Sequence, residues 1–212
     1  MSYVFFDLDK TLINGQSQQL LLNALYKRKF ISFTRLWKLR FFFLGYRLHL
    51  ISHRTIFDVY VKVATLFKDV DVEHLKKVVR AFVFAEFADI QNLRAVAELE
   101  KHISTGKEVV LVSAAFEPIV EAAAKFFQIP HYECTRLKVK DGKYTGELDG
   151  TPNYGEEKIK HLEQRYSFEG SFAYSDHHSD IPLMLKATYR YAVNPTRKLR
   201  NYAIAHGWFL LE

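Results

Sequence analysis

Four residues of strand character, Tyr3 to Phe6, run straight into two aspartates one residue apart, Asp7 and Asp9, in the stretch YVFFDLDKTLI. The apolar run reads as a short buried strand, and a strand that delivers two negative charges at its end needs a reason for them. An Asp after a strand is often only a turn former or a helix N-cap. The pair alone therefore leaves two readings open, local turn chemistry or an acidic site at the strand end.

The residues beyond the pair narrow the fold. No Asp or Glu occurs between Asp9 and Asp58, and helical patterns run from about Gln16 to about Ala88 with no convincing strand. Asp71, followed by Val-Glu-His-Leu, offers an N-cap for one of these helices. From Asp89 the texture changes. DIQNLRAVAELEKHIST reads as an amphipathic helix stopped by Gly106, and EVVLVS as a β-branched strand ending at Ser113. EPIVEAAAKFFQ reads as a helix with Pro118 in its first turn, TRLKVKDGKYTGEL as a hairpin turning at Asp141-Gly142, and EEKIKHLEQRY as a helix. SFAYSD and YRYAVN read as strands, and PTRKLRNYAIAH as a last helix stopped by Gly207. Strands alternating with helices imply an α/β fold with a parallel sheet, the helical block being inserted after the first strand. The expected division is a core of residues 1–15 and 89–212 with a helical cap of residues 16–88.

Composition fits that plan and excludes several classes. With 212 residues, 49% hydrophobic and 25% charged, the chain can bury one good core plus a sizeable insertion, and disorder is excluded. The single cysteine, Cys134, rules out an internal disulfide and a cysteine-rich metal site and reads as a small core residue. No leader pattern opens the chain and no window approaches the roughly 18 uninterrupted apolar residues of a membrane span. A cytoplasmic location is expected. The net charge of +6 is concentrated in the acid-free stretch, where Lys27, Arg28, Lys29, Arg35, Lys38, Arg40, Arg47 and Arg54 alternate with aromatic residues. Such a stretch suits either a solvated helix face or contact with an anionic surface, including peripheral contact with the inner face of a membrane. Nucleic acid is not an expected partner.

In an open α/β sheet the ligand crevice lies beyond the carboxyl ends of the strands. Strand one brings Asp7 and Asp9 there, VVLVS brings Ser113, and FAYSD brings Asp176 with Asp180 four residues on. Lys158 follows Gly155 at the start of a helix. Carboxylates converging in one crevice repel one another unless a cation stands between them, and oxygen ligands suit Mg²⁺. His177 and His178, inside SDHHSD, are assigned to the loop rather than to a metal, because such a site needs no imidazole.

These motifs together resemble the haloacid dehalogenase superfamily, in its phosphoserine-phosphatase-like branch with a helical cap (subfamily IB, C1 cap). FFDLDKTL is similar to the first motif, VLVSAA to the second, GEEK to the lysine motif and YSDHHSDIPLM to the acidic motif. The resemblance implies a Rossmann-like α/β core with a parallel sheet and an inserted all-helical cap. It implies a Mg²⁺-dependent phosphomonoester hydrolase acting through an aspartyl phosphate on a small or amphiphilic phosphorylated metabolite. Asp7 would be the nucleophile and Asp9 the acid and base. Ser113, Ala114 and Lys158 would bind the phosphoryl group, Thr11 would order the loop and contribute to substrate binding, and Lys158 would also act in catalysis. Mg²⁺ would be held by Asp7, Asp9 through its backbone carbonyl, Asp176 and Asp180.

Two departures from the branch bear on substrate. Gln16 stands nine residues after Asp7, where phosphoserine phosphatases usually carry a Glu that pairs with the substrate ammonium, so phosphoserine is disfavoured. His177 stands where a small hydroxyl residue is usual. The basic aromatic stretch leaves two other readings: an interfacial phospholipid phosphatase of the phosphatidylglycerophosphate kind, or a module that binds anionic surfaces and whose catalysis is incidental.

Overall fold

In the computed structural model, residues 2–28, 30, 34, 37 and 56–212 are described. The basic residues Lys29, Arg35, Lys38, Arg40, Arg47 and Arg54 lie outside them, and with them most of the expected surface-binding stretch.

Six strands form one parallel sheet: β1 (Tyr3–Phe6), β2 (Glu108–Phe116), β3 (His131–Thr135), β6 (Phe172–Ser175), β7 (Tyr189–Val193) and β8 (Phe209–Leu211). Their order across it is β3-β2-β1-β6-β7-β8. β4 (Leu137–Lys140) and β5 (Lys143–Leu148) make the expected hairpin, with Asp141 and Gly142 both in the left-handed region that a two-residue turn requires. β1 is paired to β2 on one side and β6 on the other, so chain order reverses at β1 and a crevice opens there.

The central strands β1, β2 and β6 are buried on both faces, as is usual in a parallel sheet. On one face, Phe6, Tyr174, Tyr191 and Phe209 occupy matched positions on four adjacent strands, and their rings stack at centroid distances of 4.2, 4.5 and 4.8 Å. Each such pair contributes about 0.5–1.5 kcal/mol beyond its buried area. His102, on the helix Leu93–Ser104, packs on this ladder and its Nε2 lies 2.8 Å from the Tyr174 hydroxyl. On the other face Phe5, Val110 and Val112 pack with Leu162 and Leu183 from the helices Glu156–Glu163 and Ile181–Lys186.

Between β1 and β2 the described elements are helical: Ser17–Lys27, Ile56–Ala64, Val72–Glu86 and Leu93–Ser104, with short 3₁₀ turns at Thr65–Phe67 and Ala88–Ile90. The outgoing and returning chains run side by side, tied by Asn14 N to Ile90 O at 2.6 Å and Asn92 N to Leu12 O at 2.9 Å. Asp71 caps its helix as expected, accepting from the His74 N–H at 2.8 Å. That helix packs on Glu117–Phe126, where Lys76 meets Glu121 at 2.8 Å and Phe84 meets the edge of Phe126.

Three local features refine the expectations. β2 does not end at Ser113 but continues to Phe116 through a bulge, since pairing with β3 jumps from Val112↔Glu133 to Phe116↔Thr135. β3 and β8, which no sequence pattern marks, are short segments of five and three residues, too brief for a clear alternation. Cys134 is buried, as expected of a core residue, and burial pushes its thiol up to about 12.

Candidate active site

The loop after β1 is wound tightly around one carbonyl. Leu8 O accepts from the N–H groups of Thr11, Leu12 and Ile13 at 3.3, 3.0 and 3.2 Å, and Lys10 takes a left-handed φ of 58°. For a residue with a side chain that conformation is uncommon and clusters at functional sites. Residues two apart leave a strand end on the same side, and both Asp7 and Asp9 line a crevice of about 340 Å³. Ser113, Ala114, Lys158, Asp176 and Asp180 line the same crevice, as do Gln16, Tyr60 and His177. Thr11 does not. It is fully buried beneath the loop, so the expected substrate contact does not hold for it, and its place is in the loop's packing.

Lys158 is 2% exposed, and its ammonium is gripped by carboxylates on two elements. Its Nζ donates to Asp7 Oδ1 at 3.0 Å and to Asp180 Oδ2 at 2.9 Å, and Asp180 Oδ1 also lies 2.9 Å away. Ser175 donates to the same Asp180 Oδ2 at 2.7 Å. Burial alone would lower the Lys158 pKa, but Asp180 and Asp7 outweigh it and hold the group charged above its ordinary range. Asp180, expected among the metal ligands, also anchors Lys158.

The remaining carboxylates are held away from their ordinary ionisation. Burial, reinforced by Asp180, Asp176 and Asp9, raises the Asp7 pKa against the pull of Lys158. Burial raises Asp9 as well, although its Oδ1 accepts the Ser17 N–H at 2.7 Å from the first turn of the helix Ser17–Lys27. Burial and then Asp180 push Asp176 up to about 7. Oxygen-only donors that are costly to ionise together fit a hard divalent cation. Among the described residues no three His, Cys, Asp or Glu side chains form a ready metal cage. Mg²⁺ takes one or two carboxylates and completes its octahedron with water and substrate phosphate.

His177 accepts the Ser179 N–H at 3.2 Å through Nδ1, which lies 2.8 Å from the Ser179 hydroxyl. Burial and the adjacent His178 lower its pKa. Its expected place in the loop holds, and that place also puts it on the crevice wall. Two residues near the site carry no motif in the sequence. Tyr60, buried on the helix Ile56–Ala64, reaches the crevice from the insertion and meets the edge of Phe116. Asn153, buried in the loop before Lys158, holds backbone carbonyls of two strands. The Pro-Asn-Tyr-Gly turn ahead of GEEK is the available signal for Asn153; nothing local marks Tyr60.

Comparison with known proteins shows the family and the fold. Residues 4–185 match the model of the haloacid dehalogenase-like hydrolases. A probable phosphatase of Mycobacterium tuberculosis is 31% identical over 226 residues, spanning 98% of this chain and 74% of that protein. A protein of unknown function from Bordetella pertussis Tohama I has the same fold, with a TM-score of 0.88 at 24% identity, covering 100% of this chain and 99% of that one. A phosphoserine phosphatase solved as a phospho-aspartyl intermediate analogue is also similar, with a TM-score of 0.62 at 22% identity, over 100% of this chain and 93% of that one. The chain belongs to the haloacid dehalogenase-like hydrolase family and is an enzyme of its phosphatase kind.

Proposed function

We propose that the protein hydrolyses a phosphomonoester in two displacements, with Asp7 as the nucleophile and Mg²⁺ as cofactor. The observation that carries the reading is the buried Lys158 ammonium between Asp7 and Asp180. It engages Asp7 Oδ1, which leaves Oδ2 as the oxygen to attack phosphorus. As the Asp7 oxygen–phosphorus bond forms, the ester oxygen–phosphorus bond breaks and Asp9 gives its proton to the leaving oxygen. Burial favours the protonated Asp9 that this step needs. In the second displacement Asp9, now ionised, takes a proton from water as that water attacks phosphorus, and Asp7 leaves as carboxylate. Splitting one hard displacement into two is the gain from a covalent intermediate, and the solved phospho-aspartyl analogue of a phosphoserine phosphatase supports the reading.

Ser113 and Ala114 line the crevice where the phosphoryl oxygens would lie, and Lys158 would neutralise the charge that an in-line transfer spreads over them. The Asp7 and Asp176 carboxylates and the Asp9 carbonyl, with Asp180, would hold Mg²⁺, which would supply positive charge between a carboxylate and a phosphate dianion. The leaving group meets Gln16, Gln18, Gln19, Val59 and Tyr60 from the insertion. These described residues place three amides and a phenol there and no carboxylate, which favours a small or amphiphilic phosphate ester without an ammonium group.

The test is turnover of a panel of phosphomonoesters, including p-nitrophenyl phosphate and glycerol phosphate, with and without Mg²⁺. Phosphate release that needs Mg²⁺ and stops with a chelator is expected. No release from any ester at saturating Mg²⁺ overturns the reading.

A further inference from the structure

We infer that Asn153, with Thr135, is the positioning residue that holds the bulged end of β2, and through it Ser113 and Ala114, in the geometry the crevice uses. The inference rests on the reading of Ser113 and Ala114 as phosphoryl contacts.

The register jump between β2 and β3 sets Ser113, Ala114 and Ala115 on one strand against Cys134 alone on the other. A bulge of this kind interrupts the ladder and leaves carbonyls to be satisfied by something other than the neighbouring strand. The carbonyls at this break are met by two side chains. Asn153 Nδ2 donates to Ser113 O at 2.9 Å and to Glu133 O at 3.1 Å, one acceptor from each strand. Thr135 Oγ1 donates to Ala114 O at 2.8 Å and accepts the Asn153 N–H at 3.0 Å. Asn153 and Thr135 are both wholly buried. The amide therefore stands in for the missing backbone pairing.

Its orientation is dictated by its partners, because a flipped amide would set an oxygen against two carbonyl oxygens. Asn153 Oδ1 has no hydrogen-bond partner among the described residues, so the side chain is used as a donor only. An aspartate could not replace it. With its carbonyl tied back, Ser113 Oγ accepts the Ala115 N–H at 3.1 Å, which leaves the hydroxyl proton to be offered to a ligand oxygen. Asn153 also lies in the turn that leads, through Gly155 at a positive φ, into the helix carrying Lys158. One buried amide thus keeps the strand end and the Lys158 helix in fixed relation.

The experiment compares the full-length wild type with Asn153→Ala, Asn153→Asp, Thr135→Val, Thr135→Ser, Ser113→Ala and the Ser113→Ala/Asn153→Ala double variant. Two quantities are read: kcat/KM for p-nitrophenyl phosphate at saturating Mg²⁺, and amide hydrogen exchange at Ala115 relative to Val110 without metal or substrate. Asn153→Ala and Asn153→Asp are expected to lose about 10–100-fold in kcat/KM, the cost of a displaced contact. The double variant should lose less than the product of its two parents. Thr135→Val should fall in the same direction and Thr135→Ser recover most of the loss. Ala115 should exchange about tenfold faster in Asn153→Ala relative to Val110, whereas general destabilisation would accelerate both alike. Exchange of Ala115 and Val110 rising together, or strictly multiplicative losses with Ser113→Ala, overturns the inference. Should Asn153→Ala fail to fold, the Thr135 pair decides by the same two readouts. A wild type inactive on every ester fails the phosphatase reading alone, since the exchange ratio still decides this one.

Discussion

Lys158 Nζ stands 3.0 Å from Asp7 Oδ1, across 151 positions of sequence, at the floor of the crevice. The same ammonium is held from its other side by Asp180, and all three side chains are nearly withdrawn from solvent. Breaking a buried pair by deleting one partner is costly because it strands the other charge. The pair therefore bears on folding as well as on chemistry.

Asp7→Asn should abolish turnover, because an amide is a far poorer nucleophile, while the fold is retained. Phosphate release by the purified variant checks this, and more than a few per cent of wild-type rate would remove Asp7 from the role. Asp9→Asn should lose about 10²–10⁴-fold, the range for a lost general acid and base. An unchanged rate there would count against Asp9.

Asp176→Ala and Lys158→Ala should separate by their response to metal. Added Mg²⁺ should restore part of the Asp176→Ala rate, since the loss is one of affinity. Lys158→Ala should stay slow at any Mg²⁺ concentration, and its melting temperature should fall because Asp7 and Asp180 lose their counter-charge. Equal rescue of both variants contradicts this division.

Gln16→Glu tests the leaving-group reading. Gln16 lines the crevice, and a carboxylate there would give a substrate ammonium a partner. The ratio of kcat/KM for phosphoserine to that for glycerol phosphate should rise by about tenfold, the worth of one charge-assisted contact. A ratio that stays level would show that Gln16 does not meet the leaving group.

Stability should fall with acid through His102. Burial, then Lys107, lowers its pKa to about 4 from an ordinary 6.5. Between those values the unfolded chain holds the proton and the folded protein resists it, so protons favour unfolding as pH drops across the window. Thermal melts from about pH 7.5 to 4.5 should show a smaller loss for His102→Gln than for wild type. Parallel pH curves would place the acid sensitivity elsewhere.

Much of this protein is legible along the chain because its signals are local. β-branched runs mark β2, and Asp71 and Pro118 mark helix starts. Asp141-Gly142 marks a hairpin, and the strand-end acids mark where a crevice must lie. Each of these depends on residues within a turn or two of one another. The strands β3 and β8 escape because three to five residues, partly exposed, give no period to read.

What the tertiary structure alone decides is which distant groups meet. Asp180 is an acid in a motif until folding sets it beside Lys158, and Asp9 is tied to the insertion through the Ser17 N–H. Thr11 sits inside the motif yet is buried away from the crevice. Tyr60 reaches the crevice from a helix whose own sequence says only that one face is apolar. Asn153 acquires its partners only because β2 and β3 part company at a bulge that neither strand announces. The physical reason is the same throughout. Backbone conformation follows from neighbours in sequence, whereas the pairing of buried charges and the satisfaction of buried carbonyls depend on which segments packing brings together.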